Sequence, residues 1–294
     1  MKILRASHLG MCFGVRDAIA LAKQTAAREP VTVLGELVHN RDVLADLQRH
    51  GVRFTNDPRQ VAAGSILITA HGASDRRIDE ARATGRPVAE ATCPLVHHAH
   101  RELHMLLAAG YHPVIIGKRG HVEVDGLTGD LCDYDVLLSE AEIAELTSRD
   151  RFGVVAQTTQ PIDRVRQLVQ ALRDRFPESE VLFRDTVCRP TKERQSAAVE
   201  LARRADIVIV IGGANSNNTR ELVATCSRHC SRVKHVQSAA DLRGDWFRPE
   251  DTVGITAGTS TPDWVIDGVE QALQRINLDP IERTAMKEPE FAGV

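Results

Sequence analysis

The feature that most constrains this chain is an order of signals that recurs three times. A cysteine stands just ahead of a helix-like stretch in "LGMCFGVRDAI" (Cys12), "EATCPLVHHAH" (Cys93) and "DTVCRPTKERQ" (Cys188), with 81 and then 95 residues between successive cysteines. After each cysteine a short apolar run ends in polar groups, at His39, His121 and Asn215, offset by 27, 28 and 27 residues. A second run then ends in "ITAHGAS" (His71), "VVAQTTQ" (Thr158) and "GITAGTSTPD" (Ser260). A period of this size is that of a small α/β unit, and repeats are read before any single motif.

The apolar runs 31–34, 65–69, 113–116, 153–156, 207–211 and 252–256 are continuous, which is how strands buried on both faces read. Amphipathic stretches lie between them, for example 164–176 and 192–204, whose Arg- and Glu-rich faces read as solvated. The expected fold class is therefore α/β, with parallel sheets. Three pseudo-symmetric units are expected, at residues 1–93, 94–188 and 189–276, followed by a tail over 277–294 that loses periodicity. In such sheets ligands bind outside the carboxyl ends of the strands, which is where the polar residues fall, so the three units are expected to face one central site.

Composition narrows the function classes. A hydrophobic fraction of 43% and a formal charge of −3 suit an ordinary globular protein. There is no Lys/Arg block to mark a nucleic-acid or membrane surface, and no apolar run near the roughly 18 residues of a spanning helix. The start, "MKILRASHLGMCFGV", lacks a signal-peptide core. A cytoplasmic enzyme without nucleic-acid or membrane partners is the expectation. Six cysteines in that setting point to metal or catalysis before disulfides.

Pro94 suits the first helical position, so Cys93 is expected at a helix N-terminus, a place that favours thiolate. A free cysteine is also among the most buried residue types and usually just packs; Cys132, Cys226 and Cys230, outside the repeat, are read as core or surface residues and not as ligands. Three convergent thiols fit either an iron–sulfur cluster with one iron lacking a protein ligand or a three-sulfur zinc site. Around them the chain offers His39, His71 and His121, the carboxylate Glu123, and the small polar set Thr158, Thr159, Ser216, Asn217, Asn218 and Ser260. Imidazoles, amides and hydroxyls at strand ends and helix starts can hold a polyanion such as diphosphate without lysine or arginine.

The strings "GMCFGV", "VHNRDV", "TAHGAS", "EATCPLV", "GHVEV", "AQTT", "VCRPTKERQ", "GGANSNNTREL" and "TAGTSTPD", in this order over nearly the whole chain, resemble the LytB-type 4-hydroxy-3-methylbut-2-enyl diphosphate reductases. The resemblance implies a trefoil of three α/β units around a central 4Fe–4S cluster, one per chain. It implies Cys12, Cys93 and Cys188 as the ligands of that cluster, whose fourth iron has no protein ligand. His39, His71, His121, Ser216, Asn218 and Ser260 would bind the diphosphate, with Asn217 beside them. Glu123 would be the proton source and Thr158 the hydroxyl that relays it. The implied reaction is the two-electron reductive dehydroxylation that gives isopentenyl and dimethylallyl diphosphate, the last step of the methylerythritol phosphate route to isoprenoids, with electrons from a ferredoxin or flavodoxin. The chain departs from the family at Val122, where a proline is usual, at Asn217, where a serine is usual, and at Arg189 and Pro190 after the third cysteine. Those changes leave open a paralogue acting on a related allylic diphosphate. A quinolinate-synthase-type lyase, which also uses three cysteines, an iron–sulfur sensor and a zinc hydrolase are the competing expectations.

Overall fold

The run Ile207–Ile211 is buried at every residue, and Val31, Val33, Ile66, Leu67, Ile68 and Val154 are likewise enclosed. Strands covered on both faces pair in parallel with helical crossovers, and the computed structural model, which describes residues 1–278, shows three four-stranded sheets whose pairings are all parallel. The expected tail falls outside the described residues from 279 onward, and residues 277 and 278 complete the last helix.

The chain opens with β1 (Lys2–Arg5). The first sheet follows through α1 (Phe13–Ala26), β2 (Val31–Leu34), α2 (Arg41–Arg49), β3 (Arg53–Thr55), β4 (Ser65–Ile68), α3 (Asp75–Arg82) and β5 (Val88–Glu90), in the order β3-β2-β4-β5. The second runs through α4 (Pro94–Ala108), β6 (His112–Ile116), α5 (Val122–Thr128), β7 (Asp135–Leu137), α6 (Glu140–Ala144), β8 (Arg151–Ala156), α7 (Ile162–Arg175) and β9 (Glu180–Phe183), ordered β7-β6-β8-β9. The third comprises α8 (Arg189–Ala202), β10 (Ile207–Ile211), α9 (Asn217–Ser227), β11 (Val233–Val236), β12 (Thr252–Ala257) and α10 (Asp263–Leu278).

All three sheets share one topology: the second strand of the unit, then the first, the third and a fourth. In the third sheet, ordered β1-β12-β10-β11, the fourth strand is β1. Sequence order places residues 2–5 in the first unit. Pairing places them in the third, with Lys2 opposite Thr252 and Arg5 opposite Ile255. Among the described residues three strands follow Cys188, and β1 covers the edge of β12 that β5 and β9 cover on β4 and β8. The chain divides into two compact units, residues 12–192 with the first two sheets, and residues 1–11 with 193 onward carrying the third.

This topology places the chemistry. Strand order reverses between the first and third strands of each unit, and the crevice beyond their carboxyl ends is where such sheets bind ligands. His39, His121 and Ser216 follow the first strands; His71, Thr158 and Ser260 follow the third. Each cysteine follows a fourth strand, tied to the end of the strand beside it. The Cys93 N–H donates to the Ala70 carbonyl and the Cys188 N–H to the Thr158 carbonyl, both at 3.0 Å, while Gly10, two residues before Cys12, donates to Ala257 at 3.0 Å. No helix among the described residues is long and apolar enough to cross a membrane.

Candidate active site

Cys12 and Cys93 are the cap residues of α1 and α4, and Cys188 immediately precedes α8. In α4 the cap is set by sequence: Pro94 takes the first helical position, Val96, Ala99, Leu103 and Leu106 form the buried stripe, and Gly110, at φ +79°, ends the run. All six cysteines are free thiols. Burial pushes the Cys93 thiol up, with the backbone N–H groups of Leu95 and Val96 pulling the other way and the charges of Cys12 and Glu123 adding to the rise. Burial pushes Cys188 up to about 11, opposed by Thr191 and reinforced by the same two charges. The three thiols and Glu123 therefore share one neighbourhood within residues 12–192. Gly14 lies against it, and a Cβ there would overlap the Cys93 sulfur. Cys226 and Cys230 are packed in the apolar core of the third unit, and Cys132 is exposed.

Glu123 lies in the first turn of α5 and is 1% exposed. Its Oε1 accepts the Thr158 backbone N–H at 2.6 Å, and its Oε2 accepts the Thr158 hydroxyl at 2.9 Å. Both bonds favour the carboxylate, yet burial outweighs them and raises the group to about 7. A carboxyl that titrates near neutrality, held against a hydroxyl, is matched to proton transfer.

The three predicted histidines come together. His39 and His71 stack with ring centroids 4.6 Å apart, and His121 meets them edge-on at 5.3 and 5.6 Å. One nitrogen from each lies within 4.8 Å of the others, close enough to hold one cation or to line one anion pocket. His121 decides between these uses. Its Nδ1 accepts the Glu123 backbone N–H at 3.2 Å, so in the neutral ring the proton sits on Nε2, which is then a donor. His71 is held well below the usual imidazole range, first by burial and then by the other two rings, and its Nδ1 is buried without a partner. His39 Nδ1 pairs with Glu36 at 3.0 Å.

Gln157 escaped the reading of the sequence. It is fully buried, its Oε1 accepts the Lys118 backbone N–H at 3.1 Å and the Gln160 amide at 3.0 Å, and its Nε2 donates to Thr159 at 3.2 Å. It braces the loop before His121 against the loop that carries Thr158. The available signal was the glycine after each first strand, Gly35, Gly117 and Gly212. A Cβ on Gly117 would stand 3.0 Å from the Gln157 Cβ.

In the other compact unit, Ser216 caps α9 by accepting the Thr219 N–H at 3.3 Å. Asn218 is 2% exposed; its Oδ1 accepts the Thr259 N–H at 3.0 Å, while its Nδ2 is buried with no partner. Asn217 and Ser260 are buried beside it in sequence and loop, respectively. Side chains on Gly212 or Gly258 would collide with Thr219, so both loops close tightly on α9.

The family model described as "LytB protein" matches residues 3–274. The 4-hydroxy-3-methylbut-2-enyl diphosphate reductase of Trichlorobacter lovleyi is 38% identical over 280 residues, 94% of this chain and 99% of that protein. The protein of the same name from Geobacter sulfurreducens is 36% identical over 279 residues, 94% of this chain and 98% of the relative. Among solved structures, the E-1-hydroxy-2-methyl-but-2-enyl-4-diphosphate reductase from Plasmodium falciparum superposes with a TM-score of 0.87 at 25% identity, covering 96% of this chain and 89% of that one. A structure described as (E)-4-hydroxy-3-methyl-but-2-enyl diphosphate reductase, the terminal enzyme of the non-mevalonate pathway, gives 0.67 at 33% identity over 93% and 99%. With the family match running almost end to end and the repeat of cysteines and strand-end polar residues intact, the chain belongs to the LytB family.

Proposed function

We propose that the protein reduces (E)-4-hydroxy-3-methylbut-2-enyl diphosphate to isopentenyl and dimethylallyl diphosphate, consuming two electrons and two protons and releasing water. The observation that carries this reading is the grouping of Cys12, Cys93 and Cys188 with a buried, neutrality-poised Glu123 in one compact unit. The donor set fits a 4Fe–4S cluster held by these three cysteines. Burial and the neighbouring charges disfavour ionisation of Cys93 and Cys188, and bound iron would stabilise them as thiolates; Gly14 leaves room beside the Cys93 sulfur that any side chain would fill. When bound, the cluster supplies electrons one at a time and a Lewis-acidic iron lacking a protein ligand.

The chain's own residues do the rest. The imidazoles of His39, His71 and His121 take the diphosphate; the locked tautomer of His121 offers an N–H where a metal would need a lone pair. Ser216, Asn217, Asn218 and Ser260 add hydroxyl and amide groups, the unpartnered Nδ2 of Asn218 being a donor in want of an anion. Glu123 holds the proton for the departing hydroxyl, and the Thr158 hydroxyl, bonded to Oε2, passes it on. Leaving as water instead of hydroxide lowers the barrier to breaking the C–O bond. Binding energy from the remote diphosphate orients that bond. Electrons come from a small ferredoxin or flavodoxin, and the setting is the cytoplasm.

The test is anaerobic turnover of the substrate by cluster-reconstituted protein with a chemical one-electron reductant. Formation of both five-carbon diphosphates supports the reading. A brown protein that binds the substrate without reducing it assigns a related allylic diphosphate instead, and a colourless protein holding one zinc removes the reductase altogether.

A further inference from the structure

The reaction above draws two protons into a site whose acid is buried, and Thr158 closes on both oxygens of that acid. A route from solvent is therefore needed, and α4 carries one candidate. His104 is exposed, and one turn closer to Cys93 His100 meets it edge-on, ring centroids 6.5 Å apart. The Nε2 of His100 is buried without a hydrogen-bond partner. It lies 3.7 Å from where a Cβ on Gly72 would stand, a place that the Thr92 and Val96 methyl groups approach to 3.1 and 3.2 Å. Gly72 follows His71, whose Nδ1 is also buried and unpartnered, as are the hydroxyls of Thr69 and Thr92. The turn is closed by the Gly72 N–H on the Thr69 carbonyl at 3.1 Å, with Gly72 at φ +76°. Four buried, unpartnered polar atoms, of kinds that are nearly always satisfied, thus belong to residues of this turn or packed against it. A water bound among them, with its usual two to four partners, would satisfy the set.

We propose that His104 and His100 are the proton inlet of the site, joined to His71 through a water held by Thr92 and Thr69 around Gly72. The inference rests on the reductase reading for its purpose, and on the buried atoms for its path. In one hand-off His100 gives its Nε2 proton to the water, the water gives one of its own to His71 Nδ1, and His71 releases its Nε2 proton toward the diphosphate. His100 takes a replacement at Nδ1 from His104 or solvent and shifts tautomer. One proton moves inward, both rings end neutral, and nothing is oxidised or reduced. The groups facing His100 suit this. Burial, His104 and His97 hold it below the usual imidazole range, opposed in part by Asp75 at the start of α3 and Asp130 after α5, so the resting ring is neutral, with one nitrogen to give a proton and one to take one.

His100 acts through His71 and is a positioning and relay residue, so its test must separate relay from support. In H100Q we expect cluster absorbance and KM to be unchanged. Saturated turnover at pH 8 should be lower by about tenfold, with a larger solvent deuterium effect and partial recovery on adding imidazole. H104Q, an exposed change that keeps the fold, should show the same pattern at about two- to threefold. A folded H100Q with wild-type turnover and pH profile overturns the inlet, and if H100Q does not fold, a wild-type pH profile in H104Q does so. Should the wild-type protein fail to turn over at all, it is the reductase reading that falls. The inlet is then judged by ¹⁵N-histidine spectra of the cluster-free chain, where H104Q should alter proton exchange at His71 Nδ1, and unaltered signals overturn it.

Discussion

The strand ends of the second sheet and those of the third occupy equivalent places in the repeat and are finished in opposite ways. In the second, Glu123 has both oxygens bonded by Thr158, and Gln157 ties the neighbouring loops together. In the third, Asn218 has its Oδ1 bonded and its Nδ2 unpartnered, and the Thr219 hydroxyl is buried without a partner. One end holds a titratable acid in a closed setting; the other holds donors that never change charge. On the proposed reading, one repeated scaffold places its acid after the strands of the second sheet and fixed, non-ionising donors after those of the third, while the histidines of the first two sheets share the anion.

The sharpest break in that comparison comes upstream of both ends. C188S should abolish the visible absorbance of the cluster and, with it, turnover, by more than about a thousandfold, while C226S, in the apolar core, should leave both intact. Anaerobic reconstitution followed by spectra and rates checks the pair; equal loss in both would mean that the repeat misassigns the ligands.

E123Q separates the two ends next. Turnover should fall by about 100- to 1,000-fold, with affinity for the substrate kept within a few-fold. The same change has a signature in stability. A carboxyl raised from its ordinary value to about 7 in the folded state favours folding fully below its unfolded pKa, and that favour is lost as pH rises through 7. Cluster-free wild-type protein should therefore lose about 3 kcal/mol between pH 4.5 and 8 that E123Q does not lose. Denaturant midpoints against pH check this, and parallel profiles would show that Glu123 is ionised well below neutrality.

How much of this was legible follows from where each signal lives. The offsets of 27, 28 and 27 survive in sequence because each unit spends the same length of chain between its cysteine and its first strand end. That made the three parallel-sheet units visible, and the continuous apolar runs marked β2, β4, β6, β8, β10 and β12 to within a residue or two, whereas β3, β5, β7, β9 and β11, at the sheets' sides, went unmarked. The placement of β1 was not visible. Parallel pairing of residue 2 with residue 252 leaves no local mark, and four residues of "KILR" carry no address. Gln157 was hidden for a related reason: "AQTT" advertises its hydroxyls, and a glutamine that braces two loops looks like any polar residue until the loops meet. The tautomer of His121 depends on one backbone N–H two residues away, which only geometry supplies.

At the non-titrating end, N218A should weaken binding of the diphosphate product by about tenfold, the scale of one buried hydrogen bond to a charged group, with saturated turnover little changed. Calorimetry between about pH 6 and 8 should find that loss constant, whereas the loss in E123Q turnover should shrink above pH 7 as the wild-type acid ionises. A pH-dependent loss in N218A would merge the two ends into one titrating network and dissolve the distinction.

The smallest effect tests the one departure beside the acid. Val122 stands where a proline is usual in relatives of this kind, and loss of a fixed φ there reads, in sequence, as a looser turn. The structure gives the position another meaning. Val122 is the first residue of α5, where the backbone N–H has no intrahelical partner and proline is well tolerated. His121, the residue before, sits at φ −84° and ψ 134°, the extended region that a following proline requires. V122P should therefore fit without strain and stabilise the protein by about 0.4–1 kcal/mol by restricting the unfolded chain. Turnover should stay within about twofold, because Glu123 is fixed by Thr158 and by the cap on its own N–H, neither of which the proline touches. Thermal unfolding and rates measured side by side decide it. A gain in stability with unchanged rates makes Val122 neutral variation on a turn the helix already fixes, whereas a large change in rate would mean that the Glu123 end is adjustable from its neighbour and less closed than its hydrogen bonds imply.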